Sequence, residues 1–195
     1  MRHRILICKV ATFAVLGLFT HNIQNPTSPA AEENPAHSRP IKHRITGLCC
    51  PEREDDLRAA VGKMPGVELL RIDFENAEAT FAYDPAKVFP GTPAGELDTQ
   101  FHNLLMKAST YTFGIRPTPN VPREKLTLIE IPVLGLDCKG CSLAAYEAIY
   151  KIDGVEHATA SFKRGRVTAW IDPAKANRTA LEAALKAKGV ELGQP

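Results

Sequence analysis

One sequence block occurs twice in this chain of 195 residues. Residues 47–87 read GLCCPEREDDLRAAVGKMPGVELLRIDFENAEATFAYDPAK, and residues 135–175 read GLDCKGCSLAAYEAIYKIDGVEHATASFKRGRVTAWIDPAK. The two blocks align without a gap, so that Gly66-Val67 matches Gly154-Val155. Stacked-repeat proteins need about three or more units, and two copies are too few for that architecture. The block therefore predicts two domains of one fold.

Apolar periodicity predicts the same elements in both copies. A β-rich segment, over 41–48 or 126–136, leads into residues that repeat at i, i+3, i+4 and i+7, the spacing of one helix face. These residues are Leu57, Ala60, Val61 and Met64 in the first copy and Ala145, Ala148, Ile149 and Ile152 in the second. Gly66 and Gly154 follow the helices and are expected to take the positive φ that ends a helix.

Two alternating segments come next and predict paired strands with one buried face. Their inward residues are Leu70, Ile72, Phe74, Ala79, Phe81 and Tyr83, and in the second copy Ala158, Ala160, Phe162, Val167, Ala169 and Ile171. A second helix and a short last strand close each copy. The order β-α-β-β-α-β is the ferredoxin-like arrangement. We therefore predict an α+β protein with two ferredoxin-like βαββαβ domains in tandem.

The domain boundaries follow from composition. We place the first domain at residues 37–115, a proline-rich, semi-stiff linker at 116–125 and the second domain at 126–195. Residues 1–36 combine a basic start, an apolar run over 10–19 and a small-residue patch, which is typical of a signal peptide. The run is shorter than the roughly 20 residues of a membrane-spanning helix. We expect a periplasmic or secreted protein; an uncleaved anchor or a disordered tail is the alternative.

Composition excludes several function classes. The 24 Lys and Arg against 22 Asp and Glu give a net charge of +2 without a basic cluster, so nucleic acid is not expected as a partner. The sequence shows neither a hydrolytic triad pattern nor a phosphate-binding loop. We therefore expect a binding protein and not an enzyme.

The chemistry of the second copy lies in Gly135-Leu136-Asp137-Cys138-Lys139-Gly140-Cys141. Two thiols at this spacing can face one point at a helix start, where the helix dipole favours the thiolate that binds metal. Lys139 is expected to favour the thiolate, and Asp137 to oppose it. Two thiolates suit a soft ion such as Cu(I) or Hg(II), because structural zinc normally takes four ligands. His157 is expected to be a solvated surface residue.

This second copy resembles the heavy-metal-associated domain family, whose pattern is G-M-x-C-x-x-C. Leu136 replaces the family's Met, a mild change, and Val190 stands where many members have an aromatic residue. The family includes copper chaperones, modules of metal-pumping ATPases and the periplasmic mercury-binding protein. The resemblance implies that Cys138 and Cys141 bind a soft metal ion and that a membrane metal transporter is a partner.

The first copy resembles the same family with an altered site, Gly47-Leu48-Cys49-Cys50-Pro51-Glu52-Arg53. Cys50 matches the first metal cysteine, whereas Arg53 takes the place of the second. Three interpretations stay open for Cys49 and Cys50: a scaffold without a site, a weaker metal site, or a vicinal disulfide. Arg53 is expected to bind an anion or to contact the other domain. A single ion bridging Cys50 and the Cys138/Cys141 pair is a further alternative.

The function predicted from these observations is an exported soft-metal carrier or scavenger that transfers its ion by thiolate exchange. One alternative is a thiol-disulfide oxidoreductase, because a CxxC at a helix start is also the thioredoxin arrangement. The βαββαβ order and the lack of a Trp-Cys-Gly-Pro-Cys loop argue against it. The other alternative is a structural adaptor with a disulfide, since cysteines pair in oxidising compartments.

Overall fold

The repeated block folds twice into the same arrangement of strands and helices. The computed structural model describes residues 40–117 and 121–194, which fall in one compact unit. The predicted signal peptide and Cys8 lie outside these residues. Within the described part of the chain, the longest helices are too short or too polar to cross a lipid bilayer.

The first module, residues 40–116, follows the predicted order. Its elements are β1 (Pro40–Thr46), α1 (Glu54–Val61), β2 (Val67–Asp73), β3 (Glu78–Tyr83), the single-turn α2 (Pro85–Val88), α3 (Leu97–Ala108) and β4 (Gly114–Arg116). The strands form one antiparallel sheet in the order β2-β3-β1-β4. The helices pack on its apolar face, where Phe81, Phe101 and Leu105 are fully buried.

The second module, residues 127–192, repeats this topology. Its elements are β5 (Thr127–Leu134), α4 (Lys139–Tyr150), β6 (Val155–Ser161), β7 (Arg166–Ile171), α5 (Arg178–Ala187) and β8 (Glu191–Leu192). Its antiparallel sheet has the order β6-β7-β5-β8. Ile149 from α4 and Leu181 and Leu185 from α5 fill its core. The α+β prediction of two ferredoxin-like modules is confirmed.

One strand departs from the predicted alternation. In β2 the pairing with β3 shifts between Leu69 and Arg71, which marks a β-bulge. A bulge inserts one residue and so moves the preceding residues to the opposite face. Leu69 therefore packs towards the core with Ile72, while Leu70, predicted to face inward, is 46% exposed.

The first module covers the free edge of the second sheet, where β6 has no neighbouring strand. The backbone N–H of Ala160 donates to the Cys49 carbonyl at 2.8 Å. The guanidinium of Arg116 lies 3.4 Å from the Val155 carbonyl, and that of Arg44 donates to the Glu156 carbonyl. Unpaired strand edges tend to pair with other chains, so this cover has a protective effect. The two modules thus pack against each other and are not separate bodies.

His157, on β6, is partly buried within this contact. The prediction that it is a solvated surface residue is wrong. Burial, followed by the nearby charges of Arg44, Arg123 and Arg116, lowers its pKa to about 4. Cations and a low-dielectric environment both disfavour the imidazolium form. His157 is therefore neutral at physiological pH.

Candidate metal centre

The CxxC loop is shaped by the way α4 begins. Cys138 is the N-cap residue, with extended backbone angles (φ −149°, ψ 162°), and its Sγ accepts the backbone N–H of Cys141 at 3.1 Å. An N-cap acceptor satisfies an amide that the first helical turn leaves free. The Ser142 N–H then donates to the Cys138 carbonyl at 3.0 Å. The first sulfur is thus held over the helix N-terminus, as predicted.

The second sulfur converges on the same point. Cys141 Sγ donates to Asp137 Oδ1 at 3.1 Å. One ligand atom from each of Asp137, Cys138 and Cys141 lies within 4.8 Å of the other two. Asp137 and Cys138 are exposed, while Cys141 is partly buried. Two sulfurs and one carboxylate oxygen thus meet at an open surface, where together they could hold a metal ion.

The two thiols differ in their readiness to ionise. Hydrogen bonds from the Cys141 side chain and backbone lower the pKa of Cys138. The pKa of Cys141 is raised, because its interactions with Cys138 and Asp137 both favour the protonated thiol. Cys138 is therefore the first thiolate. Lys139, expected to assist, instead directs its ammonium group to Asp56, 3.0 Å away.

The floor of the loop is apolar. Leu136, which replaces the family's Met, is 9% exposed and belongs to the core of the second module. An apolar side chain at this position packs beneath the loop. The loop is therefore anchored by packing on one side and by the helix start on the other.

The first module's cysteines occupy a different environment. Cys49 and Cys50 are both fully buried, and they pack into the core cluster of the second module. Neither forms a disulfide. Among the described residues, the only group of three or more close metal-ligating side chains is Asp137, Cys138 and Cys141. The structure therefore does not bring Cys50 to the exposed pair, as a bridging ion would require.

Cys50 nevertheless has the backbone conformation of Cys138. It is the N-cap of the short 3₁₀ helix Pro51–Arg53, with φ −149° and ψ 158°, but its side chain accepts no capping hydrogen bond. The Cys50 thiol forms a hydrogen bond with Cys49 instead. This hydrogen bond lowers the pKa of Cys49 and, together with burial, raises the pKa of Cys50. The first module thus has the same loop backbone as the second at this position, but its two sulfurs are buried and do not face solvent.

Arg53 contacts the other module, as one of its two expected roles required. Its Nη2 donates to the backbone carbonyl of Lys139 at 3.2 Å. Sequence reasoning missed a second such contact, in which the Gly47 N–H donates to the hydroxyl of Tyr146 at 3.2 Å. These two residues are 99 positions apart, and no local pattern indicates their pairing.

Comparison with known proteins gives relatives of limited similarity. The chain matches no family model. It is 20% identical over 179 residues to Copper-transporting ATPase 2 of Homo sapiens, an alignment that covers 78% of this chain. The chain spans only 12% of the length of that ATPase.

Two of the matching solved structures each cover about one module of this chain. CopZ metallochaperone is 25% identical, with a TM-score of 0.34, and covers 34% of this chain and 100% of its own. Oxidised MerP from Ralstonia metallidurans CH34 is 24% identical, with a TM-score of 0.33, and covers 35% of this chain and 94% of its own. In sequence, the chain is similar over most of its length to part of a copper-transporting ATPase, which agrees with its resemblance to the heavy-metal-associated domain family.

Proposed function

We propose that this protein binds one soft metal ion, Cu(I) or Hg(II), as cargo between Cys138 and Cys141. The observation that carries the proposal is the convergence of two reduced sulfurs at an exposed helix start. Thiolates select soft ions, and two-coordinate binding needs no further ligand. The similarity to a copper-transporting ATPase supports the same ligand class.

Loading of the site follows from the hydrogen bonds. Cys138, as the first thiolate, captures the ion. Cys141 then ionises, and its proton leaves by way of the Asp137 carboxylate that already accepts it at 3.1 Å. No electrons are exchanged, and one S–H bond is replaced by one S–metal bond. The carboxylate is a hard ligand and contributes little to a bond with Cu(I).

Release is proposed to occur by thiolate exchange with a membrane metal transporter. Cys138 is exposed, so an incoming thiolate can approach the ion before the first bonds break. The protein is a carrier or scavenger in this proposal and not an enzyme. The composition of residues 1–36, typical of a signal peptide, supports action in the periplasm or outside the cell.

The test compares two double variants. Cys138→Ser with Cys141→Ser should abolish tight Cu(I) and Hg(II) binding, measured by competition with bathocuproine disulfonate for Cu(I), and leave the circular dichroism spectrum unchanged. Cys49→Ser with Cys50→Ser is the matched control and should keep a stoichiometry of one ion per chain. Affinity that survives the first change and disappears with the second would place the site in the first module.

One observation favours a second candidate, a thiol-disulfide oxidoreductase. The lowered pKa of Cys138 at a helix N-terminus is also typical of a redox-active cysteine. An insulin-reduction assay separates the two functions. The carrier should show no turnover above free dithiothreitol, whereas activity without Cu(I) or Hg(II) binding would establish the oxidoreductase.

A further inference from the structure

The first module contacts Lys139, one of the two residues between Cys138 and Cys141. Arg53 Nη2 donates to the Lys139 carbonyl at 3.2 Å, and Asp56 Oδ1 lies 3.0 Å from Lys139 Nζ. Arg53 Nη1 also lies 3.4 Å from Asp56 Oδ2. The three residues therefore form a closed ring, which we call the Arg53–Asp56–Lys139 ring. Arg53 binds the backbone of Lys139, and Asp56 binds its side chain.

Because the ring is partly buried, its contacts are expected to be stronger than those of an exposed surface ion pair. The side chain of Arg53 is only 12% exposed, against 36% for Asp56 and 43% for Lys139. Exposed ion pairs contribute little, because water competes and long side chains lose entropy. A guanidinium shielded from water and bonded to a carbonyl is a stronger, charge-assisted contact. The Arg53 contact is thus the principal part of the ring.

The ring acts on the part of the loop that sets the sulfur positions. Lys139 is the first residue of α4 and directly follows Cys138. The Cys141 amide donates to Cys138 Sγ and the Ser142 amide to the Cys138 carbonyl, and Lys139 lies within both of these hydrogen-bonded turns. Fixing the Lys139 peptide group therefore fixes the backbone that joins the two ligands.

We propose that Arg53 and Asp56 are positioning residues for the metal site of the second module. The inference rests on the proposed function. In the first module, Arg53 occupies the place of the second metal cysteine, and it supports the intact site across the module contact. By keeping both sulfurs convergent, the ring slows escape of the bound ion and leaves the exposed side of Cys138 as the route for exchange.

The first experiment uses the metal-free chain. Arg53→Gln removes the charge and the fork of the guanidinium. Arg58→Gln is the matched control, because the ion pair that Arg58 forms among the described residues is with Glu54 of its own helix. Loss of one charge-assisted hydrogen bond should accelerate hydrogen exchange at the Cys141 and Ser142 amides about tenfold. The control should leave them unchanged. Unchanged exchange in Arg53→Gln would overturn the inference.

Site-resolved alkylation distinguishes a loosened loop from separated modules. Cys49 and Cys50 are fully buried at the module contact and react only when the contact opens. In Arg53→Gln they should stay protected. Rapid alkylation of both would show that Arg53 holds the modules together and has no separate effect on the loop.

The second experiment measures release of Cu(I) to bathocuproine disulfonate. Arg53→Gln and Asp56→Asn should each release the ion several-fold faster than the native chain, and Arg58→Gln at the native rate. Equal rates for all variants would contradict a role in retention. A chain that takes up no ion in any form would refute the proposed function, while the exchange data would still decide whether Arg53 orders the loop.

Discussion

At the scale of single residues, Asp137 opposes ionisation of both Cys138 and Cys141. Its carboxylate accepts a hydrogen bond from the Cys141 thiol, which favours the protonated form of that thiol. Its negative charge also raises the pKa of Cys138. That Asp137 opposes ionisation could be predicted from its place beside Cys138. Its hydrogen bond to Cys141 could not, because it depends on the rotamer and loop geometry that the helix start imposes.

Replacing this carboxylate tests the assignment. In Asp137→Asn both thiols should ionise at lower pH, since a neutral amide no longer repels a thiolate. The pH profile of iodoacetamide alkylation should move to lower pH, so that the reaction at a fixed pH below the thiol pKa becomes several-fold faster. Asp153→Asn, which changes an exposed carboxylate of the same module, is the control. A profile that does not move would contradict the role of Asp137.

At the scale of elements, periodicity predicted most of the fold. Residues of β3 and β7 named as inward-facing are buried, and so are the four apolar residues predicted for the first helix face. On the helix face of the second copy, Ala145 and Ile149 are buried, whereas Ala148 and Ile152 are only partly buried. The β2 bulge was missed, because an inserted residue changes the register without changing the composition of the strand. The two glycines aligned by the repeat do take positive φ, 76° at Gly66 and 88° at Gly154, in the turn before the next strand.

Two glycine variants separate backbone strain from close packing. Gly154→Ala would place a Cβ 2.6 Å from Lys175 Cβ. A Cβ at Gly189, where φ is 76°, would have no atom beyond its chain neighbours within 4 Å. Both changes carry the cost of a left-handed conformation, about 1 kcal/mol. Gly154→Ala should lose a further 1–3 kcal/mol, roughly, through overpacking. Urea denaturation measures both, and equal losses would show that Lys175 yields without cost.

At the scale of the whole molecule, the sequence did not predict whether the two modules pack against each other. Arg44 and Arg116 reach backbone carbonyls of β6, and such carbonyls are present at every position of a chain. The contact also buries His157, which no periodic pattern indicated. The exposed cysteine pair was predictable from spacing, whereas the support from Arg53 depends on the way the modules dock.

Burial of neutral His157 predicts a loss of stability in acid. Its pKa is about 4 in the folded chain against an ordinary value of 6.5. As pH falls from 6.5 towards 4, the unfolded chain binds a proton that the folded chain does not, so the free energy of unfolding decreases. This contribution is at most about 3.5 kcal/mol, at 1.4 kcal/mol per pH unit.

His157→Gln should remove that component. Between pH 7 and pH 4, the native chain should lose more free energy of unfolding than the variant, measured by urea denaturation at each pH. The other titrating carboxylates are common to both chains and cancel in the comparison. Identical pH dependence in the two proteins would show that His157 titrates normally and that Arg44, Arg116 and Arg123 do not suppress its charge.

The cover over β6 has a consequence for the C-terminal half taken alone. A fragment that begins after the proline-rich segment would lack the Cys49 carbonyl and the two arginine side chains that occupy the outer backbone groups of this strand. Those groups would then be available to any extended chain, including another copy of the fragment. Self-association is the expected behaviour of such a fragment, and the N-terminal half would then prevent it in the whole chain without any bound metal.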